Sequence, residues 1–557
     1  MNLYNLGLSG INAAQSRLTT TGHNISNADT EGYNRQRVMV STAGASGTSN
    51  GFFGRGVQVD SVQRSYDSFL FRQLNSSQTA GASLVAHGKQ LNMIDSILAD
   101  RTVGVAPAIN KFFNALDAVA SAPADPAARQ DLIGQAGSLV TQINELGAFL
   151  DDQANDVNIQ ITTTVSQINS YAERINDLNQ QITSIKASNF NQPPNDLYDQ
   201  RDQLVSELNQ LVGVRVIEQG DTFNLSVGNG QVLLSGTTVY PLQAVQSAAD
   251  PRDIVVAATV PTGADGGTTL VELKDNVIKG GSLGGLLDFR SQSLVPLQND
   301  LGRMAVGLAQ AVNALHNGGD DPANPTSRDL NGDPGTDFFS LAEIHALPND
   351  RNTGDLDIAL SFGDVNALTS SDYQIEYDGT DYTITRMPGN TQVYSGTGTP
   401  APAFDGVTLA LDGTPQAGDK WLLQPTRDAA ANLGLAITDP EKIAAADGAG
   451  GTANGENALA LAKLRNTKIL ANGTVSVNEA FSQLVNKGAV KSEQIGTAAK
   501  AQANLITQNY SAQQAVSGVN LNEEYMNLMR YQEQFRAAAQ VIDAGTAIFD
   551  ALLSLRQ

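Results

Sequence analysis

The last 40 residues carry a hydrophobic pattern with a seven-residue period. The segment 518–555 contains no proline, and we predict one helix of about 55 Å from a rise of roughly 1.5 Å per residue. Such a narrow apolar stripe requires a partner alongside it. The two interleaved registers consist of Leu521, Leu528, Phe535, Ile542 and Phe549, and of Tyr531, Ala538, Gly545 and Leu552.

The first 27 residues repeat the same period. Tyr4, Ile11, Leu18 and Ile25 recur every seven residues over a predicted helix 2–27, with the small residues Gly7, Ala14 and Thr21 between them. Small residues would let a partner helix come close, so we predict that the two chain ends pair. The predicted assembly interface consists of Ile11, Leu18, Ile25, Leu521, Leu528, Phe535, Ile542, Phe549 and Leu552.

Helical and strand-like patterns alternate between these ends. Two short strands, 33–40 and 53–64, flank a polar loop at 41–51. The apolar spacing then predicts helices over 67–98, 107–120, 127–187 and 196–212, and the third of these would extend on the order of 90 Å. Gly-bounded alternation over 214–278 predicts strands, with Gly228-Asn229-Gly230 as a hairpin turn.

Helical spacing returns over 283–316, where Pro296 should kink the helix or mark its start. An Asp- and Pro-rich loop at 317–336 precedes a second strand-rich stretch over 337–427. Ala-rich sequence over 440–515 then predicts a further helical segment.

This order predicts a multidomain α+β chain with a long coiled-coil-like helical rod built from both chain ends and inserted β-rich domains. We expect the terminal helices to be disordered or loosely ordered in isolation. The predicted domains are a terminal helical assembly domain (1–60 plus 515–557), a helical rod domain (61–213 plus 283–336 plus 430–514), a β-rich hairpin insert (214–282) and an outward β-rich domain (337–429).

Composition narrows the function classes. The 557 residues include no cysteine, which excludes disulfides, thiolate catalysis and Cys-based zinc sites. A net charge of −23, concentrated in 320–450, makes nucleic acid an improbable partner. No apolar run is long enough to span a bilayer, and the N-terminus has no basic region before an apolar core, so neither membrane insertion nor a cleavable secretory signal is predicted.

Two local motifs resemble a catalytic and a metal-binding motif, but a structural role explains each of them better. Gly280–Gly284 fits G-x-S-x-G, but we interpret it as a Gly-rich turn in which Ser282 caps the next helix, since no histidine is oriented toward it. Asp329–Asp333 begins like a calcium loop, yet Pro334 stands where an EF-hand needs glycine, so an acidic loop is favoured over a weak calcium site. We therefore predict no catalytic, cofactor-binding or metal-binding residues.

A family resemblance rests on the first helix and the turn after it. Residues 7–38 match the N-I-x-N-x-x-T-x-G-Y signature of bacterial flagellar axial proteins, and Glu31 departs from the proline common in rod and hook members. The stretches 280–290, 311–320 and 527–542 narrow the resemblance to hook-associated proteins. The signature residues are Asn24, Ile25, Asn27, Thr30, Gly32 and Tyr33.

The resemblance implies a structural, non-enzymatic subunit at the hook–filament junction of the bacterial flagellum. It also implies a homo-oligomeric ring in contact with the hook protein and a second junction protein. Secretion would occur through the flagellar type III channel, after a cytoplasmic chaperone has held the C-terminal helix. Two alternatives stay open from the residues: a flagellum-associated secreted cell-wall hydrolase, and a filament or adhesive surface protein that uses the same termini.

Overall fold

The computed structural model describes residues 3–48, 51–98, 104–188, 192–262, 267–319 and 325–554. Helices occupy both ends of the chain and much of its first half. The ten α-helices are α1 Leu3–Ser26, α2 Ser68–Leu98, α3 Val105–Ser121, α4 Pro126–Ser188, α5 Asn195–Leu211, α6 Gly281–Phe289, α7 Val295–His316, α8 Glu456–Lys463, α9 Val477–Ser517 and α10 Leu521–Ser554.

The strands fall into small antiparallel groups between the helices. They are β1 Gln36–Thr42, β2 Ala45–Thr48, β3 Gly51–Gly54, β4 Val57–Arg64, β5 Val214–Gln219, β6 Thr222–Val227, β7 Gln231–Ser235, β8 Thr238–Val239, β9 Leu242–Gln246, β10 Ile254–Thr262, β11 Gly267–Glu272, β12 Ser327–Arg328, β13 Phe339–Ser340, β14 Ile344–His345, β15 Leu347–Pro348, β16 Asp357–Phe362, β17 Asp372–Tyr377, β18 Tyr382–Met387, β19 Thr391–Gly396, β20 Ala403–Phe404, β21 Val407–Asp412, β22 Lys420–Leu423, β23 Gly434–Leu435 and β24 Ala446–Asp447.

The long helix α4 is the backbone of the rod. It runs unbroken for 63 residues, as its apolar spacing predicts, and begins at Pro126, where a missing N–H costs no helical hydrogen bond. Its buried face steps by four and three residues through Leu139, Ile143 and Leu146 and continues by sevens through Ile161 and Ile168. This face joins most of the other helices into one main core.

The strands β5–β11 share that main core. They form a four-stranded sheet, β5-β6-β7-β8, and a three-stranded sheet, β11-β10-β9. Asn169 on α4 donates from Nδ2 to the Leu242 carbonyl at 2.8 Å, and Asn179 donates to the Phe223 carbonyl at 3.0 Å. Gly228 and Gly230 take positive φ values of 57° and 108° in the β6–β7 turn, which confirms the predicted hairpin.

A second core lies within the strand-rich segment that follows α7. One sheet has the order β14-β16-β21-β20 and the other β15-β22-β17-β18-β19. Their apolar side chains form a cluster around Tyr373, Ile384 and Trp421, with Val306 of α7 and Ala429 at its edge. The combination of helical termini and central antiparallel sheets confirms the predicted α+β class, while the domain limits remain a prediction.

Two local predictions are wrong. The polar loop predicted at 41–51 includes strand β2 and the first residue of its partner β3, because Gly47, Gly51 and Gly54 admit strand pairing despite a weak apolar pattern. The Ala-rich stretch 440–515 is not one helix, since positive φ at Ala471 and Asn472 and the turns around them separate α8 from α9.

The predicted helix 283–316 is interrupted just before Pro296, where the sequence predicts a kink or a helix start. A π-helical turn over Arg290–Leu294 separates α6 from α7, and the Val295 N–H donates to the Arg290 carbonyl five residues back. This widened turn makes room for the proline ring, which would otherwise meet a carbonyl of the preceding turn. Pro296 then occupies the first turn of α7.

Candidate assembly surface at the two chain ends

The helices α1 and α10 pack antiparallel through small residues. A Cβ added at Gly7 would lie 2.5 Å from Ile542 Cγ1 and 2.9 Å from the Ala538 carbonyl oxygen. One added at Gly545 would lie 3.1 Å from Leu3 Cβ, about one helical turn from the contact at Gly7. The glycines therefore set the close approach of the two backbones, as in other helix pairs built on small residues.

The large apolar residues of the predicted interface surround this close contact and are only partly covered. Ile11, Leu18, Ile25, Leu528 and Ile542 are half-buried. Leu521, Phe535 and Phe549 remain 40%, 37% and 60% exposed. The side chain of Leu552 lies outside the described residues. The isolated chain thus leaves an apolar border along its helix pair.

The signature residue Asn24 ties the end of α1 to two other segments. Its Oδ1 accepts hydrogen bonds from the Gln36 N–H at 2.9 Å and the Tyr33 hydroxyl at 2.8 Å. Its Nδ2 donates to the Gln36 carbonyl at 2.9 Å and to Glu524 Oε2 at 3.1 Å. Every hydrogen-bonding position of this buried amide is used, so the position requires asparagine.

A buried ion pair completes this connection. Arg35 Nε donates to Glu524 Oε1 at 2.8 Å, and its Nη2 lies 2.6 Å from the same oxygen. Arg35 Nη1 donates to Glu523 Oε2 at 2.9 Å. The Glu524 side chain is only 2% exposed, whereas that of Glu523 is 52% exposed. We call Asn24, Arg35 and Glu524 the latch, because together they hold α1, the signature turn and α10.

The other signature residues shape the turn. Asn27 Nδ2 donates to the His23 carbonyl at 3.0 Å, and Thr30 Oγ1 lies 3.4 Å from Asn27 Oδ1. Gly32 has φ +80°, and a Cβ there would lie 2.9 Å from Gln203 Oε1. Burial, reinforced by neighbouring carboxylates, raises the pKa of the Tyr33 hydroxyl, which therefore stays a proton donor to Asn24.

The signature turn is also joined to the rod through α5. Asn34 donates from its backbone N–H to Asp199 Oδ2 at 3.0 Å and from Nδ2 to Oδ1 at 2.6 Å. Arg64 of β4 donates to Asp199 at 3.0 Å and to Asp202 at 2.6 Å. Burial raises the pKa of Asp202 to about 6, although Arg64 opposes that shift. These bonds fix the terminal helix pair relative to the rod.

Sequence reasoning located the turn but missed its carboxylate partners. Glu524, Asp199 and Asp202 are far from the signature in the chain, and no pattern links them to it. One signal was present: Glu523 and Glu524 lie in the first turn of α10, where carboxylates favour the positive helix end. That signal predicts a helix start and does not predict a buried ion pair.

The serine and histidine considered as catalytic candidates hold structural positions in the fold. Gly280 and Gly281 have φ values of +73° and +65°, as a Gly-rich turn requires, but the predicted cap is wrong: Gly280 is the N-cap of α6 and Ser282 lies within its first turn. His316 is engaged at both ring nitrogens, with Nδ1 2.6 Å from the Thr336 carbonyl and Nε2 accepting the Ala444 N–H at 2.8 Å. It is therefore unavailable as a base for Ser282.

A lysine side chain from outside the acidic loop 329–333 already pairs with two of its carboxylates. Lys442 Nζ lies 3.0 Å from Asp329 Oδ2 and 3.1 Å from Asp333 Oδ2. Within the described ranges, no group of three or more His, Cys, Asp or Glu side chains could hold a metal ion. In the same ranges, none of the helices combines the length and apolar character that crossing a membrane requires.

Comparison with known sequences decides the family. The flagellar hook-associated protein 1 of Escherichia coli strain K12 is 40% identical over 561 residues, covering 100% of both chains. The corresponding protein of Salmonella typhimurium is 38% identical, again over 100% of both. This chain belongs to the flagellar hook-associated protein 1 family. It is a structural component of the flagellar hook–filament junction, and neither the hydrolase nor the adhesive alternative finds support.

Matches to individual regions agree with membership of this family. The flagellar hook-associated protein FlgK helical domain matches residues 91–339, and the D2-like domain of flagellar hook-associated protein 1 matches 347–425. The flagella basal body rod protein family matches 5–34, and the C-terminal family of the basal body rod FlgEFG proteins matches 512–555. The two chain ends therefore carry the sequence shared more widely with rod proteins.

A solved structure supports the same fold. The flagellar hook junction protein FlgK from Burkholderia pseudomallei superposes with a TM-score of 0.73 at 30% identity, covering 80% of this chain and 100% of that one. Membership of the family places the chain in the flagellum.

Proposed function

We propose that the chain joins hook to filament by axial packing of α1 and α10 against neighbouring subunits. The observation that carries this mechanism is the partly covered helix pair, in which Leu521, Phe535 and Phe549 remain exposed on a helix that the latch holds in place. Exposed apolar side chains along a helix are stabilised when another subunit covers them. The predicted interface residues, including Ile11, Leu18 and Ile25, would then gain partners from other chains.

The partners proposed on this basis are the hook protein, a second junction protein and further copies of this chain arranged in a ring. We also propose that the chain is secreted through the flagellar type III channel and that a cytoplasmic export chaperone covers the C-terminal helix beforehand. The apolar face of α10 supports this last step, since it would otherwise be exposed in the cell. The proposed role needs no enzymatic activity.

Deletion of one chain end tests the mechanism. Removal of 1–40 or 520–557 should abolish the hook–filament junction and motility, because each deletion removes one helix of the pair. The central sheets around Tyr373 have their own core and should retain their β-sheet circular dichroism. Motility like that of the wild type after either deletion would contradict the mechanism.

A further inference from the structure

The terminal helix pair meets the rod across one side of α5 that carries three carboxylates. Asp196, Asp199 and Asp202 recur every three residues and are therefore neighbours on the helix surface. The signature turn and the start of β1 cover this side, since Gln36 Nε2 donates to Asp196 Oδ1 at 2.8 Å and Asn34 donates to Asp199. We call these three aspartates the acidic face of α5.

One guanidinium serves the two inner carboxylates of the acidic face. Arg64 Nη1 donates both to Asp199 Oδ1 and to Asp202 Oδ2. The side chains of Asp199 and Asp202 are only 6% and 4% exposed, and that of Arg64 is 14% exposed. Two buried carboxylates beside one bridging cation leave a negative charge that water cannot solvate well, and such a charge favours uptake of a proton.

Asp202 is the carboxylate whose hydrogen bonds are incomplete. Asp199 accepts from the Asn34 N–H, from Asn34 Nδ2 and from Arg64. Asp202 Oδ2 accepts from Arg64, but its buried Oδ1 has no hydrogen-bond partner in the described part of the chain. A protonated carboxyl carries no charge, so a proton on Asp202 removes the cost of burying that unpartnered oxygen as an ion.

The other charged groups around Asp202 do not neutralise it. Arg201 attracts the carboxylate, but its guanidinium donates to Asn179 Oδ1 and to the Asp221 carbonyl. Burial raises the pKa of Asp202 to about 6, and the neighbouring arginines only partly oppose this shift. The charged and titratable groups that face Asp202 or its immediate neighbours are Arg64, Tyr66, Arg72, Asp199, Arg201 and Glu218.

We propose that the acidic face of α5 is a clamp that a proton tightens: when Asp202 is protonated, the signature turn and the helix pair are held more firmly on the rod. Neutral Asp202 no longer repels Asp199 and no longer competes for Arg64 Nη1. Asp199, which binds Asn34 of the turn, then keeps the guanidinium to itself. The clamp acts within one subunit and sets the orientation of its assembly surface, so it goes beyond the proposed axial packing.

The direction of the effect follows from the two protonation states. With the turn on α5 the pKa of Asp202 is about 6, whereas exposure to water restores its ordinary value of 3.8. The docked state therefore binds the proton more strongly, so the added hold is complete below the ordinary value and is lost as the pH rises through about 6. Between pH 8 and pH 5 the docking equilibrium should strengthen about tenfold.

Hydrogen exchange of the Asn34 amide measures the clamp, because that N–H donates to Asp199 on α5. Its protection factor, corrected for the intrinsic exchange rate at each pH, should be about tenfold higher at pH 5 than at pH 8 in the purified chain. The Gln36 amide donates to Asn24 within the terminal segments and is the internal control. Its protection factor should be the same at both pH values.

Two variants separate Asp202 from a general effect of pH. Asp202→Asn keeps the shape of the side chain but has no carboxylate to protonate, so Asn34 protection should be equal at pH 5 and pH 8. The matched control Asp156→Asn removes an exposed carboxylate of α4 and should keep the wild-type response. An unchanged response in Asp202→Asn would overturn the clamp.

The wild-type chain alone decides the matter if Asp202→Asn does not fold. Equal Asn34 protection at the two pH values, or weaker protection at pH 5, would overturn the clamp, as would an equal rise at the Gln36 amide. None of these measurements requires assembly of the flagellum, so failure of the clamp leaves the axial mechanism intact.

Discussion

At the scale of single residues, the latch explains why the two chain ends meet where they do. Glu524 is almost fully buried, and its charge is tolerated because Arg35 and Asn24 both donate to it. Glu523 bonds the same guanidinium from the surface. Removing one partner of a buried ion pair leaves the other desolvated and unpaired, whereas an exposed pair contributes little.

Glu524→Gln should therefore loosen α10 far more than Glu523→Gln. We expect a loss of about 3 kcal/mol in the local opening free energy of α10 for Glu524→Gln, as for other broken buried pairs. The matched change at exposed Glu523 should cost less than about 1 kcal/mol. Hydrogen exchange of the α10 amides measures both. Equal protection in the two variants would show that the latch does not hold the helix.

His316 predicts a pH dependence of stability. Burial lowers its pKa to about 4 by disfavouring the charged ring, and the hydrogen bond from Nδ1 to the Thr336 carbonyl only partly opposes this shift. The unfolded state, with a pKa near 6.5, binds the proton first as pH falls. The stabilisation is therefore fully present above about pH 6.5 and is lost progressively toward pH 4, on the order of 3 kcal/mol in total.

The variant His316→Asn isolates this effect, since it keeps a donor near the Thr336 carbonyl and cannot titrate. It should be less stable than the wild type at pH 7 and lose less stability between pH 6.5 and 4. Asp202, whose raised pKa of about 6 acts in the opposite sense, is present in both chains and cancels in the difference. If the denaturation midpoints of the wild type and His316→Asn changed equally across this pH range, His316 would not be the source of the pH dependence.

At the scale of elements, the helix pair is closed by glycine and bordered by large side chains. The seven-residue period predicted both helices and the close-approach role of the small register, because a helical repeat is a local property of the sequence. It did not reveal which large residues stay exposed, such as Phe549, because that depends on how the partner helix is rotated. The pairing of β2 with β3 was missed, and a loop was predicted at 41–51 instead, because the glycines of these strands carry no apolar pattern.

Two glycines of α1 provide a matched test of this packing. Gly7→Ala places a Cβ 2.5 Å from Ile542 Cγ1 and 2.9 Å from the Ala538 carbonyl, so α1 and α10 must move apart. Gly22→Ala meets nothing within 4 Å and should stabilise α1 by roughly 0.5–1 kcal/mol through helix propensity. Limited proteolysis of α10 should be faster in Gly7→Ala and unchanged or slower in Gly22→Ala. Equal cleavage of the two would contradict close packing at Gly7.

At the scale of the whole molecule, the ends of the chain meet and the middle folds around its own cores. The order of helical and strand-like segments predicted this α+β arrangement, because element type follows from local periodicity. The assembly interface could be proposed from the seven-residue hydrophobic repeats of the two terminal helices. The latch could not, because it joins Asn24 and Arg35 to Glu524 across nearly the full chain, and no local pattern records a pairing over that separation.

The central claim is that the seam of α10 is an assembly surface, and Phe535→Asp tests it most directly. Phe535 is 37% exposed in the isolated chain, so a carboxylate there is tolerated by the fold and rejected by an apolar intersubunit contact. The control is Gln540→Asp, an exposed position of the same helix. The measurement is the fraction of hooks that carry a filament in each strain. We predict that Phe535→Asp abolishes filament attachment with unchanged circular dichroism and that Gln540→Asp attaches normally. Normal attachment in Phe535→Asp would contradict the account.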